Sequence, residues 1–448
     1  MRMVSLNKLG THLLVAGVLL VIVRPAQAIP AFARKYGLPC SACHQAWPML
    51  NNFGQTFKDN GYQLGNDRDA PIYQQPAYWP IMFRVTPQWH RENNNHVPVD
   101  NIPGDPSSGR TETSLSSSGF DTSAINLVAA GTLAKNISFF VQDYIGDGGT
   151  SLFRSFIRLD NLLRSPWLNL KVGKFDLDMP VSQQRILTQS LNGSSYYNFF
   201  FRPPGDRNVF SGIGTPQLGA EIMGHSANDY TRYSISVLSS NNGHAGALTN
   251  QGYDLYANFN QAFEVPGLGL QRVGVFGYLG QSPTYFQTSN GVPLPSAGLG
   301  YRSFYRAGAY GQWYAGKFDF MTLYMHGQDD VFIGNSVPAN QASSLPLGAA
   351  GPSWNGGFVE AHYTYNPRLI VVGRYELARM SRQANSHIPG NLGNLDAWTA
   401  GYRWYPIMSS RAGLAWVQEY SRLLQAGASP SHRDDGSSSF TMGFDFDF

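Results

Sequence analysis

"FTMGFDFDF", residues 440 to 448, sets Phe440, Met442, Phe444, Phe446 and Phe448 on one side of an extended chain and Thr441, Gly443, Asp445 and Asp447 on the other. A strand with one wholly apolar face and one charged face must lie between two different environments. The same period of two recurs upstream. In "YTRYSISVLSS", residues 230 to 240, Tyr233, Ile235 and Val237 oppose Arg232, Ser234 and Ser236. Tyr253, Leu255, Ala257 and Phe259 oppose Asp254, Asn258 and Asn260, and Val359, Ala361, Tyr363 and Tyr365 oppose Glu360, His362 and Thr364. Trp398, Ala400, Tyr402 and Trp404 oppose Thr399, Gly401 and Arg403.

A soluble sandwich also alternates, so the connections decide between the two. Strands are expected near 81–90, 122–134, 137–146, 151–160, 167–176, 216–225, 230–239 and 251–261, and again near 269–280, 301–314, 317–328, 356–366, 368–379, 396–406, 410–422 and 437–448. Some links are tight, as in "KN" at 135, "SAND" at 226, "AGK" at 315 and "NP" at 366. Others, around 91–121, 177–215, 281–300 and 329–355, are long. Short turns at one rim and long loops at the other, with an even strand number, predict an all-β fold over residues 78–448, an antiparallel outer-membrane β-barrel of about 16 strands. Only closure pairs every backbone group where no water reaches. The competing fold, a secreted sandwich or adhesin, would have to bury both faces of the last strand. That strand also resembles the carboxy-terminal signal of bacterial outer-membrane proteins, which implies the barrel assembly machinery and outer-membrane lipid as partners. The Ser-, Gly-, Pro- and Asn-rich stretches 97–121 and 281–300 are expected as surface loops. The link 177–215 carries "SSYYNFFFRPPGDRNVF", expected either as a constriction in the lumen or packed on the rim.

Composition agrees with a membrane barrel. Arg2 and Lys8 precede an apolar run from Leu13 to Val23, and Ala26-Gln27-Ala28 supplies a small-x-small cleavage pattern, so residues 1–28 read as a signal peptide. Nothing later approaches the roughly 20 apolar residues of a spanning helix. The chain is 13% aromatic with 48 glycines, yet only 14% charged, against about 25% in a typical soluble domain. Removing Arg2, Lys8 and Arg24 with the leader takes 32 basic residues to 29, against 29 acidic ones. So balanced a charge excludes a nucleic-acid partner.

Residues 29–77 have a different texture. "YGLPCSACHQAW", residues 36 to 47, holds the only two cysteines, in the pattern C-x-x-C-H at Cys40, Cys43 and His44. Two thiols one turn apart can form thioethers to the vinyl groups of one covalent haem c, with the adjacent imidazole as fifth iron ligand. Three other readings compete. A Cys40–Cys43 disulfide suits an oxidising compartment, zinc would recruit His44 but lacks further ligands nearby, and a thioredoxin-like motif lacks its βαβ context. Downstream, Leu50, Phe53 and Phe57 fall at helical spacing with Gly61 as a stop signal, which predicts a short helix laying an apolar face on the cofactor. A domain so small cannot wrap a haem alone, so the barrel should complete the pocket.

The run "AIPAFARKYGLPCSACH", residues 28 to 44, followed by "LNNFGQTFKDNGYQL", residues 50 to 64, resembles the fused monohaem cytochrome c–porins of the bacterial outer membrane, the iron-oxidase-type cytochrome-porins. The motif likeness covers some 40 residues, while the layout of leader, plug and barrel spans the chain. The resemblance implies a short α-helical plug in the mouth of the barrel and electron transport across the outer membrane. It also implies extracellular Fe(II) as the donor and a periplasmic c-type cytochrome or other carrier as the acceptor, as in an iron(II):cytochrome c oxidoreductase. A diffusion porin with a structural or sensory haem plug, and outward transfer to an extracellular acceptor, are the alternatives.

For the sixth ligand, Met49 lies too close to His44 in sequence to reach the opposite face. In "WPIMFRVTPQWH", residues 79 to 90, an outward set of Ile81, Phe83, Val85 and Trp89 leaves Met82, Arg84, Gln88 and His90 facing the lumen. Met82 is the expected ligand, with His90 and His96 behind it, although a lumenal methionine is ordinarily packing. Arg154, Arg158, Arg272, Arg302, Arg306 and Arg374 are expected in the lumen, mostly as wall solvation. Asp329–Asp330 and Asp434–Asp435 are pairs of acids commonplace in loops.

Overall fold

The computed structural model describes residues 31–46, 49–64, 80–146, 149–181, 187, 212–240, 252–283, 301–329, 351, 353–382, 394–409, 412–429, 432–433 and 436–447. The expected leader, the aromatic cluster at 194–210, and Asp330, Asp434 and Asp435 lie outside them. The chain begins with a small unit of helices α1 (Ala31–Tyr36) and α2 (Cys40–Cys43), paired strands β1 (His44–Ala46) and β2 (Met49–Leu50), and helix α3 (Asn52–Asp59). The barrel follows as β3 (Ile81–Ile102), β4 (Asp105–Ala134), β5 (Ile137–Gly146), β6 (Gly149–Leu159), β7 (Asn169–Phe175) and β8 (Gln217–His225). It continues through β9 (Thr231–Ser239), β10 (Tyr253–Val265), β11 (Gly269–Pro283), β12 (Tyr301–Ala315), β13 (Phe318–Gln328) and β14 (Ser353–Asn366). β15 (Leu369–Arg382), β16 (Leu395–Met408), β17 (Gly413–Ser429), the two-residue β18 (His432–Arg433) and β19 (Ser438–Asp447) complete it. Neighbours pair antiparallel throughout, and β19 closes the ring between β17 and β3. Apart from the short β18, which pairs only with β17, 16 strands form the barrel.

The alternation fixes which face is which. Arg232, Ser234 and Ser236 are at most 1% exposed, whereas Ile235 and Val237 are 55% and 46% exposed. Leu255, Phe259, Val275, Val359, Val371, Trp404 and Phe444 continue that outward apolar surface around the ring. A closed antiparallel barrel with an apolar outside and charged groups inside is an outer-membrane barrel, and its place is the bacterial outer membrane.

One stretch differs from expectation. Residues 97–121 are not an irregular loop. β19 pairs with β3 only up to Asn93, and β5 pairs with β4 only from Ile125, so the rest of β3 and β4 forms a two-stranded ribbon turning at Gly104 (φ +79°). Its polar composition reads as loop, but polar residues face each other across the pair. Ser114 Oγ donates to Asn95 Oδ1 at 2.9 Å, Arg110 Nε reaches Asp100 at 3.0 Å, and His96 pairs with Glu112 at 2.9 Å.

The lumen is packed. Inward-facing Tyr256, Tyr278, Phe304, Trp354 and Phe358 are buried and join one apolar cluster with Leu177, Met179, Val181 and Leu187. These last four belong to the link after β7, so these described residues of the link sit in the lumen. Tyr256 Oη donates to the Asp178 carbonyl at 3.1 Å, while on the far wall Leu187 N donates to Glu360 at 3.0 Å and its carbonyl accepts from Arg403 at 2.8 Å. Ala46 and Met49 of the amino-terminal unit join the same cluster.

Candidate functional site

Pro39, in extended conformation, starts α2, and the single turn from Cys40 to Cys43 sets the two thiols three residues apart on one side. His44 leaves the turn extended (φ −119°, ψ 134°), which carries its ring clear of the helix. Both cysteines are free thiols, and burial pushes Cys40 up to about 11 and raises Cys43 as well. Among the described residues no three His, Cys, Asp or Glu side chains cluster so as to hold a metal ion themselves.

Asn51 joins the motif to α3. Its Oδ1 caps the helix by accepting from Gly54 N at 2.9 Å, its Nδ2 donates to the Ala42 carbonyl at 3.0 Å, and its backbone N–H donates to the Cys43 carbonyl at 3.0 Å. The helix then passes so close that a Cβ on Gly54 would lie 2.0 Å from the Cys43 carbonyl oxygen. Only glycine fits there. Phe57, on the buried side, meets Phe32 edge-on at 5.1 Å and Tyr36 at 5.7 Å, while Tyr62 stacks on Phe32 at 5.0 Å. Gly61 (φ +72°) ends the segment as expected, and a Cβ there would strike Asp160 of the barrel at 2.3 Å.

The unit is a plug held inside the barrel wall by polar contacts. Arg232 Nη2 reaches Asp59 Oδ1 at 2.8 Å and Asp178 Oδ1 at 3.4 Å, and its Nε stands 3.3 Å from Asp229. Arg158 donates to the carbonyls of Lys58 and Asp59 at the end of α3. Gln45 Nε2 donates to Asp319 at 2.5 Å, and Cys40 Sγ lies 3.4 Å from the Ser409 carbonyl. Ser409, Asp229 and Asp160 sit in short turns and Asp319 beside one, so the plug occupies the short-turn mouth, the periplasmic end in barrels of this type. Burial acts to raise Asp59, but Arg232, Lys58 and the hydrogen bond from Gln55 together hold the carboxyl below its ordinary value. Asp229 goes the other way, pushed up to about 7 by burial and by the nearby charge of Asp59.

Between plug and wall lies a mostly apolar cavity with about 330 Å³ open to the centre of a water molecule, within the roughly 300–1,000 Å³ usual for small-molecule and cofactor sites. Cys40, Cys43 and His44 line it together with Leu50, Phe53 and Phe57, the three residues expected to face the cofactor. The opposite walls come from β3 to β8, including Met82, Arg84, Phe140 and Met223. Met82 is thus brought to the motif. Met49 is instead 1% exposed inside the lumenal cluster, and His96 is on the ribbon. Arg154, Arg158, Arg272, Arg306 and Arg374 are buried, as expected of lumenal residues, and the first two line the cavity. The side chain of Arg302 is outside the described part. Sequence reasoning did not find Met223, nor the parts played by Asn51 and Gly54. The only signal for Asn51 was a cap residue ahead of the apolar spacing.

No family model and no curated protein matches the chain. Solved structures do resemble it. An anion-selective porin from Comamonas acidovorans is 11% identical with a TM-score of 0.48, over 82% of this chain and 99% of that one. OmpF of Salmonella typhi, in complex with daunomycin, is 11% identical at a TM-score of 0.48, over 82% and 97%. The outer-membrane channel DcaP of Acinetobacter baumannii is 8% identical at a TM-score of 0.44, over 82% and 97%. The class, a porin-like outer-membrane β-barrel, rests on this chain's own strand order and outward apolar face.

Proposed function

We propose that the chain is an outer-membrane monohaem c-type cytochrome-porin that carries electrons across the membrane, from extracellular Fe(II) to a periplasmic carrier. One observation supports this above the others: Cys40, Cys43 and His44 open onto a single, mostly apolar cavity enclosed by the rest of the plug on one side and by barrel residues on the other. The residues fit a haem c in kind, with two free thiols one turn apart, an adjacent imidazole, methionine sulfur on the facing wall and a buried Nη2 on Arg154 without a hydrogen-bond partner.

When attached, haem c supplies reversible one-electron chemistry at iron. In this reading Cys40 and Cys43 would tether it, and His44 and Met82 would supply ligands to its iron. Leu50, Phe53 and Phe57 exclude water from one side, and the barrel wall does so from the other. Arg232 and Arg158 hold the plug at the periplasmic mouth, where a soluble carrier can approach.

The packed lumen favours passage of electrons over passage of solutes. Leu177, Met179, Val181 and Leu187 fill space that a diffusion channel would leave to water. Anaerobic mixing of the purified protein with Fe(II) tests the proposal, the expected result being reduction of the haem Soret band. Solute flux through reconstituted protein with no such reduction would instead establish a diffusion porin.

A further inference from the structure

Among the described residues, five cations line the cavity: Lys58, Arg84, Arg154, Arg158 and Lys171. Three on the wall are committed. Arg84 gives Nε and Nη2 to the two oxygens of Asp445 at 2.9 Å each, Arg158 gives both terminal nitrogens to carbonyls at the end of α3, and Lys171 reaches Glu221. Lys58 rides on the plug itself. Arg154 is different. Its Nη1 donates to Gln142 Oε1, its Nε stands 2.5 Å from Asp176 Oδ2, and its Nη2, although buried, has no hydrogen-bond partner.

The guanidinium is also held in place. Gln142 is fixed in turn by donating to Asn126 at 2.9 Å, and the guanidinium carbon lies 4.5 Å from the centre of the Phe153 ring. A cation that is 6% exposed, clamped on two sides, with Nε meeting Asp176 only as an ion pair and Nη2 meeting no acceptor, is built to receive one from the apolar cavity it lines. Its location narrows the choice. Cys40 lies against Ser409, in the turn between β16 and β17, whereas Arg154 is on β6, which is five strands beyond β17 in the ring. At about 4.8 Å per strand this is roughly 24 Å of wall. A macrocycle tethered at Cys40 and Cys43 would therefore present its far edge to Arg154, and in haem that edge carries the two propionate carboxylates.

We propose that Arg154 anchors a haem propionate through Nη2, a role that rests on the haem reading above. Asp176, the one carboxylate on the lining among the described residues, shares the guanidinium and keeps the anchor from being over-charged before the cofactor arrives. A fixed positive charge at the propionate favours the reduced iron, so its removal lowers the midpoint potential.

The experiment uses the purified full-length protein in detergent. Resonance Raman spectra of the wild type should show a propionate-bending band at its hydrogen-bonded position that shifts in D₂O. Arg154→Gln should move that band to the unbonded position and lower the midpoint potential, with haem per chain and the axial-ligand bands unchanged, and Arg154→Lys should recover most of the potential. A haem-loaded Arg154→Gln protein with wild-type band and potential overturns the anchor. So does a wild-type band already at the unbonded position, a result that needs no variant to fold. A colourless wild-type protein would refute the haem reading instead, so the two failures are distinguishable.

Discussion

The barrel and the plug are held together by different physics. Each barrel strand is specified by a repeat: backbone bonds to two neighbours, apolar residues outward, polar residues inward, so that one strand supports the register of the next. The plug has no repeat. Its two longer helices have 6 and 8 residues, too short to persist alone in water. Its shape comes from Asn51 and the Phe32–Phe57–Tyr62 cluster, and its position from ion pairs to residues far away in the chain. The barrel should therefore tolerate single changes in the plug, while the plug should be sensitive to single changes in the barrel.

The largest effect is expected where that asymmetry is complete. Replacing both Cys40 and Cys43 with serine should abolish covalently attached haem, so that the denatured polypeptide carries no haem stain. The folded barrel should keep its heat-modifiable migration in detergent gels. Loss of the barrel along with the colour would contradict the division into two regions.

Next comes Arg232→Ala, a barrel change aimed at the plug. It leaves Asp59 and Asp178 buried without their shared cation, and removing one partner of such a network typically costs ~3–5 kcal/mol. The barrel strands should persist while residues 31–64 become cleavable by added protease, read by mass spectrometry. Gly54→Ala acts inside the plug. The new methyl would meet the Cys43 carbonyl oxygen, which is backbone and cannot rotate away, and overpacking of this kind costs ~1–3 kcal/mol. The expected sign is a lower haem yield per chain. Met82→Ala should be milder still, leaving haem load intact while changing the reduced spectrum and lowering the potential. Met223→Ala is its control, because Met223 lines the same cavity; an unchanged Met82→Ala spectrum removes Met82 as the ligand.

How legible each region was follows from the same contrast. A period of two survives any tertiary context, so Ile235 and Val237 could be set outside and Ser234 and Ser236 inside from sequence. The ribbon at 97–121 escaped because a strand with no apolar face has no such period to show. In the plug, C-x-x-C-H and the Leu50, Phe53 and Phe57 spacing were visible because they are local. Asn51 and Gly54 had little signal, because their roles depend on how close α3 comes to α2. The lock around Arg232 had none: Asp59, Asp178, Asp229 and Arg232 are brought together only by the closed barrel.

The smallest predicted effect concerns that lock and its pH dependence. Asp229, in the turn between β8 and β9, has its carboxyl raised from an ordinary 3.8 to about 7, by burial first and then by Asp59, against the pull of Arg232 and Arg272. Thr56 Oγ1 stands 3.4 Å from it and His225 Nδ1 3.9 Å. A raised carboxyl stabilises the folded state through its bound proton. That contribution is complete below the ordinary value and is lost as pH rises through about 7. Asp59, held low by Arg232, contributes in the opposite sense, its share being present above the ordinary carboxylate range and lost as pH falls through its folded value. Together they place tightest docking of the plug on the acid side of neutrality, above the range where Asp59 takes up its proton. Protease release of residues 31–64 should accordingly increase between about pH 4 and about pH 7, the interval between the ordinary and the raised value, and Asp229→Asn, which cannot ionise, should flatten that rise. A variant that keeps the full pH dependence would mean that His225 or another group, and not Asp229, sets how firmly the barrel grips its plug.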